Sequence, residues 1–469
     1  MKVKMILPAL TEATSPRYRP IKYSLFPPLG LATLAAHLLR DDEVEIVDEH
    51  VSPLQMNDTP DLVVIQCYVT SARRSYEIAD EYRRRGAHVA IGGLHPTALP
   101  DEAAAHADTV FLGPGDHSFR DFLVDLRQGQ PQARYVGHHR SLADVPLPRR
   151  DLIARHRYLV PNSIVVSRGC PHHCDFCYKD AFFRGGKSFY TRTIDTALAE
   201  IESLPGKHLY FLDDQLFADE HFVRELFVGM RGMGRVWQAA GTVRSVLRPG
   251  LMERAVEVGL RSLFVGFESL SVANLRSCRK LHSARTEYEA AIARLHGMDV
   301  MVNASFVYGL DDDDESTFDR TVDWAVRQGI ETATFHILTP YPGTALRQRL
   351  VDEGRLLDRP WDDYDTRHAV FRPRRMSVAS LERGYWRSYE RFYALGAILR
   401  GAATKGDLAR RLRHVAYAGG WKKLEPLWNL VIKSGALPVM RPILEATLQG
   451  LEPARNLLVA ARSYPALSA

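Results

Sequence analysis

The chain has 469 residues, a formal net charge of +5, 46% hydrophobic and 25% charged residues, which is ordinary for a globular protein of two or three domains. So small a charge leaves no electrostatic footprint for nucleic acid, and five cysteines do not make a disulfide framework. The opening MKVKMILPAL holds an apolar run of only six residues before Thr11, too short for a signal peptide or a membrane span, so a cytoplasmic location is expected.

Short apolar runs at 2–7, 44–47, 62–66, 88–91 and 109–112 read as strands, and Pro27–Gly30 opens a helix reaching Leu39. Continuous Val, Ile and Leu separated by amphipathic stretches predict a doubly wound parallel sheet covered on both faces. Ligands of such sheets bind beyond the carboxyl ends of the strands. The residues there are Cys67 to Ser71, with Thr70 among them, then Gly92-Gly93-Leu94-His95 and Gly113-Pro114-Gly115-Asp116. Glycines at these turns let a large ligand approach the backbone, although such turns are also ordinary punctuation.

Next comes SRGCPHHCDFCYKD, past a strand predicted at 163–167. Cys170, Cys174 and Cys177 are spaced CxxxCxxC, and Phe176 precedes the last. Three thiolates in one loop can hold a 4Fe-4S cluster and leave one iron without a protein ligand. The alternative is zinc with His172 or His173 as fourth ligand. Zinc sites usually pair short knuckles across a longer loop, and no second knuckle exists here.

Strands are predicted at 163–167, 208–212, 237–242, 262–266, 301–307 and 334–338, with helices at 193–204, 220–230, 283–296 and 315–327 between them. Six such units predict a partial barrel with right-handed crossovers. Polar residues gather at the strand ends: Asp213-Asp214, Thr242 and Arg244, Glu268-Ser269, then Asp311 and Asp312. Arg244 has an alternative use as a partner of Asp213 or Asp214, and Glu268 at an apolar strand end requires a partner. The acidic run 311–314 reads as a helix N-terminus, without the glycine-centred pattern of a calcium loop.

Beyond Arg372 the period is helical at 381–399 and 424–432. Basic residues are frequent, Arg400, Arg410, Arg411, Arg413, Lys422 and Lys423 among them. The plain reading is a helical cap over the open side of the barrel. The sharper one is a basic amphipathic surface for a peripheral membrane contact or an anionic substrate.

The cysteine spacing with Phe176 resembles the signature of radical S-adenosylmethionine (SAM) enzymes. The runs PPLGLATLAAHL and GGLHPTALPDEA…DTVFLGPGDHSF resemble the cobalamin-binding domain that precedes the barrel in one large branch of that family. The resemblance covers residues 1 to roughly 375. It implies an α/β chain with a Rossmann-like cobalamin-binding domain at 1–140, a partial (β/α)6 radical SAM barrel at 150–372 and a C-terminal helical cap at 373–469. The implied cofactors are a 4Fe-4S cluster on the three cysteines, SAM and cobalamin. By the same resemblance Glu268 meets the SAM ribose, Arg244 its carboxylate and Phe176 its adenine. Thr70, Ser71, Gly92, Gly93, His95, Gly113 and Gly115 are then the residues expected around the corrin, and no residue is assigned a catalytic step. Asp48-Glu49-His50 begins the DxHxxG string that supplies many cobalamin proteins with an axial histidine, but Pro53 stands where the glycine would be and the string follows the second strand. His50 therefore reads as a surface loop residue and Cys67 as a small buried one.

The family implies a C-methyltransferase acting on an unactivated carbon of a small-molecule, lipid or natural-product substrate. In that chemistry one SAM yields a 5′-deoxyadenosyl radical that takes a hydrogen, and methylcobalamin supplies the methyl group. A cyclase or oxidoreductase without methyl transfer is the alternative. A methylthiotransferase is disfavoured, since the N-terminal domain has only Cys67. An electron donor such as flavodoxin or ferredoxin is the implied partner, and Tyr178, Tyr341 and His336 read either as wall residues of the substrate pocket or as aromatic core packing.

Overall fold

Val-, Ile- and Leu-rich segments of the N-terminal region pair into one parallel sheet, as alternate burial on two faces requires. In a computed structural model, residues 1–13, 25–280, 285–420, 431 and 437–449 are described. The strands are β1 (Lys2–Leu7), β2 (Glu43–Asp48), β3 (Leu62–Gln66), β4 (His88–Gly92), β5 (Thr109–Leu112) and β6 (Arg134–Val136), in the order β2-β1-β3-β4-β5-β6. Ile6, Val63, Ile65 and Val89 pack under one layer of helices, and Val3, Met5, Val64 and Phe111 under the other. The edge strand β6 was not anticipated. It has three residues, of which only Tyr135 is buried, too few to leave a pattern.

The second sheet takes β7 (Ser163–Ile164), β10 (His208–Phe211), β11 (Val236–Gly241), β12 (Leu260–Glu268), β13 (Met301–Tyr308) and β14 (Thr332–Ile337), all parallel, in the order β14-β13-β12-β11-β10-β7. Side-chain caps fix several crossover helices: Thr193 accepts from Thr196 N and Asp219 from Phe222 N. The first barrel strand stops at Ile164 rather than 167. The Asp213 carboxylate takes the Val166 and Ser167 amides, and the chain turns into an antiparallel pair of β8 (Ser167–Gly169) and β9 (Phe189–Thr191).

The helical stretch expected at 381–399 is two helices, Val378–Phe392 and Leu395–Ala403. They part at Tyr393, whose hydroxyl bonds the Ala333 backbone, and at Ala394, which is extended. The 424–432 expectation, and Lys422 and Lys423 with it, lies outside the described residues except Val431. The Leu408–Ala418 helix crosses the amino end of the barrel. There Gln238 and Asn303, from β11 and β13, donate to the Tyr417 hydroxyl at 3.0 and 3.4 Å. Among the described residues no helix is long and apolar enough to cross a membrane.

The two sheets meet through their carboxyl ends. Arg168 of β8 pairs at 2.9 Å with Asp116, in the turn after β5. The short helix Leu94–Ala98, after β4, packs on the helix Lys179–Phe182 that follows the cysteines.

Candidate active site

The thiol loop is gripped at its entry. Gly169 has φ +82°, and a Cβ there would lie 1.9 Å from the Ser188 carbonyl, so only glycine fits. The Cys170 amide donates to that carbonyl at 2.8 Å, and the Gly169 amide to Asp214 at 3.1 Å. Further along, Cys177 N bonds Cys174 O, and the Asp175 carbonyl accepts from Leu346 N. Burial pushes all three thiols up, Cys174 to about 11, and negative charge nearby adds to this, from other thiolates at Cys174 and Cys177 and from Asp214 at Cys170. Two ammonium groups act the other way: Lys179 beside Cys170 and Cys177, and Lys280 beside Cys174. Among the described residues no three His, Cys, Asp or Glu groups converge on one metal ion, and His173 turns outward to Asp180 at 2.9 Å. Thiolates around a four-iron cluster stand farther apart than the ligands of one ion. Three half-buried thiols coupled to one another and offset by two lysines fit such a cluster.

Glu268 ends β12 at a register shift and adopts φ +61°, a left-handed conformation that is strained for a glutamate. Its carboxylate meets Lys280, whose Nζ also donates to Gly266 O at 2.9 Å. Lys280 was not foreseen, because it sits twelve residues past Glu268 in a helix-and-turn stretch with no motif around it. Phe176 is half-buried against the barrel core. Arg244 is exposed on the helix Val243–Leu247. It meets neither aspartate considered for it: Asp213 accepts from Ser167, and Asp214 pairs with Lys179 at 2.9 Å. Burial lifts the Asp213 carboxyl to about 7 despite those hydrogen bonds.

Tyr178, directly after Cys177, borders a cavity of about 210 Å³. Leu10, from the turn after β1, and Tyr68, Val69 and Thr70, after β3, form one wall. These turns flank the switch in strand order between β1 and β3, where open α/β sheets take ligands. Tyr178, Tyr341 and Tyr364 come from the barrel side, with Pro342, Asp365 and Thr366. His336 instead bonds Thr366 at 3.2 Å. The tyrosine-rich wall suits one face of a flat macrocycle, although the enclosed volume is below the ~300 Å³ at which pockets begin to hold a drug-sized ligand.

Of the seven residues expected around a corrin, Thr70 borders this cavity. Ser71 is buried and bonds Tyr68 N at 3.1 Å. Gly93 has φ +120°, and a Cβ there would sit 2.6 Å from Cys67 O. At Gly92 it would meet Phe111 at 3.1 Å, and at Gly113 Phe182 O at 3.1 Å. The chain's own backbone thus demands glycine at Gly93 and, through its φ of +75°, at Gly113; Gly92 is tightly packed, and Gly115 has only ordinary contact, 3.6 Å from Leu34. His95 is fully buried, and its Nε2 bonds Glu102 at 2.9 Å. Glu102 also accepts from Tyr76 and Trp361, which ties the first sheet to the segment after the barrel. His50 is not the surface residue expected. It is buried, with Nδ1 on Asp48 at 2.7 Å and Nε2 accepting from Leu10 N at 3.1 Å.

Comparison with known proteins matches residues 23–123 to the B12 binding domain, 164–325 to the Radical SAM superfamily and 344–443 to a domain of unknown function, DUF4070. The chain is 30% identical over 388 residues to bacteriochlorophyllide d C-12(1)-methyltransferase of Chlorobaculum tepidum, covering 80% of this chain and 84% of the relative. A more distant relative is the anaerobic magnesium-protoporphyrin IX monomethyl ester cyclase of Rubrivivax gelatinosus, 23% identical over 440 residues, or 82% of this chain and 77% of that one. The fold is shared with the radical SAM methyltransferase TsrM of Kitasatospora setae, at a TM-score of 0.66 and 14% identity over 95% of this chain and 99% of the other. With both domains matched in order and a relative aligned along most of its length, the chain belongs to the cobalamin-binding radical SAM enzymes.

Proposed function

We propose that this enzyme transfers a methyl group to an unactivated carbon of an apolar small molecule. One observation carries the reading: the thiol loop and the turns of the cobalamin-binding sheet face each other across a tyrosine-lined cleft. When bound, the cluster, SAM and cobalamin supply radical generation and an organometallic methyl donor, which a carbon that is not a nucleophile requires.

The chain's own residues have separable tasks. Cys170, Cys174 and Cys177 hold the cluster, and Lys179 and Lys280 offset its negative charge. Lys280 fixes Glu268, whose strained backbone directs the carboxylate toward the SAM ribose, while Phe176 flanks the adenine. Arg244 would have to turn inward to reach the SAM carboxylate, whereas Lys179 and Lys280 are cations already near the thiols. Tyr68, Val69 and Thr70 present the first domain's face to the corrin. With Nδ1 on Asp48 and Nε2 accepting from Leu10 N, His50 has no ring nitrogen left to serve as a cobalt ligand. Tyr178, Tyr341 and Tyr364 exclude water from the cleft. An apolar ring-bearing substrate fits these walls, and the methyltransferase relative, whose name specifies bacteriochlorophyllide d, favours one. An electron donor of the flavodoxin or ferredoxin class completes the requirement.

Anaerobic reconstitution with iron, sulfide and hydroxocobalamin, then incubation with methyl-labelled SAM and candidate apolar acceptors, tests the proposal. About four irons and one corrin per chain, with label on a product carbon, are expected. Iron without corrin overturns it. The cyclase relative supplies the second reading, identified by 5′-deoxyadenosine formation and substrate oxidation without label transfer.

A further inference from the structure

Two consecutive helices at the end of the barrel remote from the thiols hold large apolar side chains in solvent. Leu395 and Leu399 are 66% and 60% exposed on the Leu395–Ala403 helix, and Leu408 and Leu412 are 71% and 56% exposed on the Leu408–Ala418 helix. In each helix the two leucines are four residues apart and share a face. The opposite faces are already packed, through Ile398 and Ala402 on one helix and His414 and Ala418 on the other. The turn between them is fixed to the barrel. Lys405 donates to Gly329 O at 2.7 Å and pairs with Glu331, and Arg413 pairs with Asp299. The leucines are therefore held outward by a rigid base.

Charge on this hairpin is one-sided. Residues 395–418 contain five Arg and Lys against a single acid, Asp407. Lys405, Arg410 and Arg413 are used against Glu331 and Asp299. Arg400 and Arg411 are exposed, and among the described residues neither has a carboxylate partner. An exposed leucine by itself needs no explanation. Four on one hairpin, with two guanidiniums that have no carboxylate partner among the described residues, match a surface that is anionic outside and apolar beneath. A second copy would set arginine against arginine in a two-fold interface.

We propose that this hairpin docks the protein on the anionic face of a lipid bilayer, with the leucines at the acyl boundary and Arg400 and Arg411 among the headgroup phosphates. The hairpin covers the amino ends of the barrel strands. A docked molecule therefore keeps its tyrosine-lined cleft turned away from the bilayer, and the inference holds whatever the substrate.

Co-sedimentation of the full chain with phosphatidylcholine vesicles, with and without phosphatidylglycerol, tests this. Binding is expected to require phosphatidylglycerol and to weaken with salt. Arg400→Gln with Arg411→Gln lowers partitioning by about thirtyfold, at roughly one tenfold step per 1.4 kcal/mol and ~1 kcal/mol per cation. Leu399→Asp with Leu412→Asp abolishes it while circular dichroism and iron content stay unchanged. Leu399→Ser with Leu412→Ser gives the same loss should the aspartate pair fail to fold. Equal binding to both vesicle types, or undiminished binding by the leucine variants, overturns the proposal. So does a wild-type dimer that the leucine variants convert to monomer, which makes a second copy the occupant.

Discussion

The two ends of the barrel bury charge in different ways. At the amino end Glu331 accepts from Val302 N at 2.9 Å and pairs with Lys405, with His296 at 3.3 Å. Burial alone would raise this carboxyl, but His296, His414 and Lys405 hold it well below the usual carboxylate range. At the carboxyl end the same burial lifts Asp213 to about 7 and Cys174 to about 11, because hydrogen-bond donors and neighbouring cations do not compensate fully. A buried carboxylate therefore does not by itself mark chemistry. The amino end is a closed ion-pair lock, whereas at the carboxyl end groups are held in less stable protonation states beside a cleft.

Removing a thiol should have the largest effect. Cys174→Ala should drop iron from about four per chain to near zero on anaerobic reconstitution, while the far-ultraviolet spectrum stays native. Retention of full iron would undo the distinction between the ends. At the amino end, Glu331→Gln leaves Lys405 buried without its anion and should cost about 3–5 kcal/mol, the usual penalty for breaking a buried pair. Urea unfolding measures this, and iron loading should be unaffected. The sign with pH follows from the depressed carboxyl. Its contribution is complete above the ordinary carboxylate value and lost only as pH falls through the lower folded one, so the variant differs most from wild type near neutrality.

Lys280→Ala should weaken SAM binding about 10–100-fold, the range for a residue that orients a ligand-contacting group, measured by equilibrium dialysis with the global unfolding midpoint nearly unchanged. Asp213 gives the smallest effect and the opposite pH sign. Between the ordinary aspartate value and about 7 the folded chain keeps a proton that the unfolded chain has released, so stability falls as pH rises through that window. Asp213→Asn should flatten the slope of unfolding free energy between those limits, and an unchanged slope would remove the contrast with Glu331.

Strand positions were legible where the apolar run is nearly unbroken, as in β3 and β5, and the cysteine loop because its spacing is a local property of the chain. What stayed hidden arises from contacts between distant residues. The early end of β7 depends on Asp213, 47 positions beyond Val166, capturing its amide. Lys280 reaches Glu268 only through a bulged strand end and the fold of a helix. Glycine turns are ambiguous in a specific way: at Gly93 a backbone carbonyl leaves no room for a side chain and at Gly113 a φ of +75° favours glycine, and the sequence does not distinguish these causes from room left for a ligand. His50 appeared exposed because its two partners, Asp48 and Leu10, meet only when β1 and β2 align.

The clasp at Gly169 bears on the order in which this enzyme is assembled. Backbone hydrogen bonds from Cys170 to Ser188 and from Gly169 to Asp214 fix the start of the thiol loop through protein contacts alone. Where metal binding and folding are one event, a newly made chain waits unfolded for its ion. Here the polypeptide can finish folding first and present an organised, half-open receptor to whatever delivers iron and sulfide. Iron scarcity should then leave a reservoir of folded, inactive protein that later loading rescues, rather than a chain destined for proteolysis.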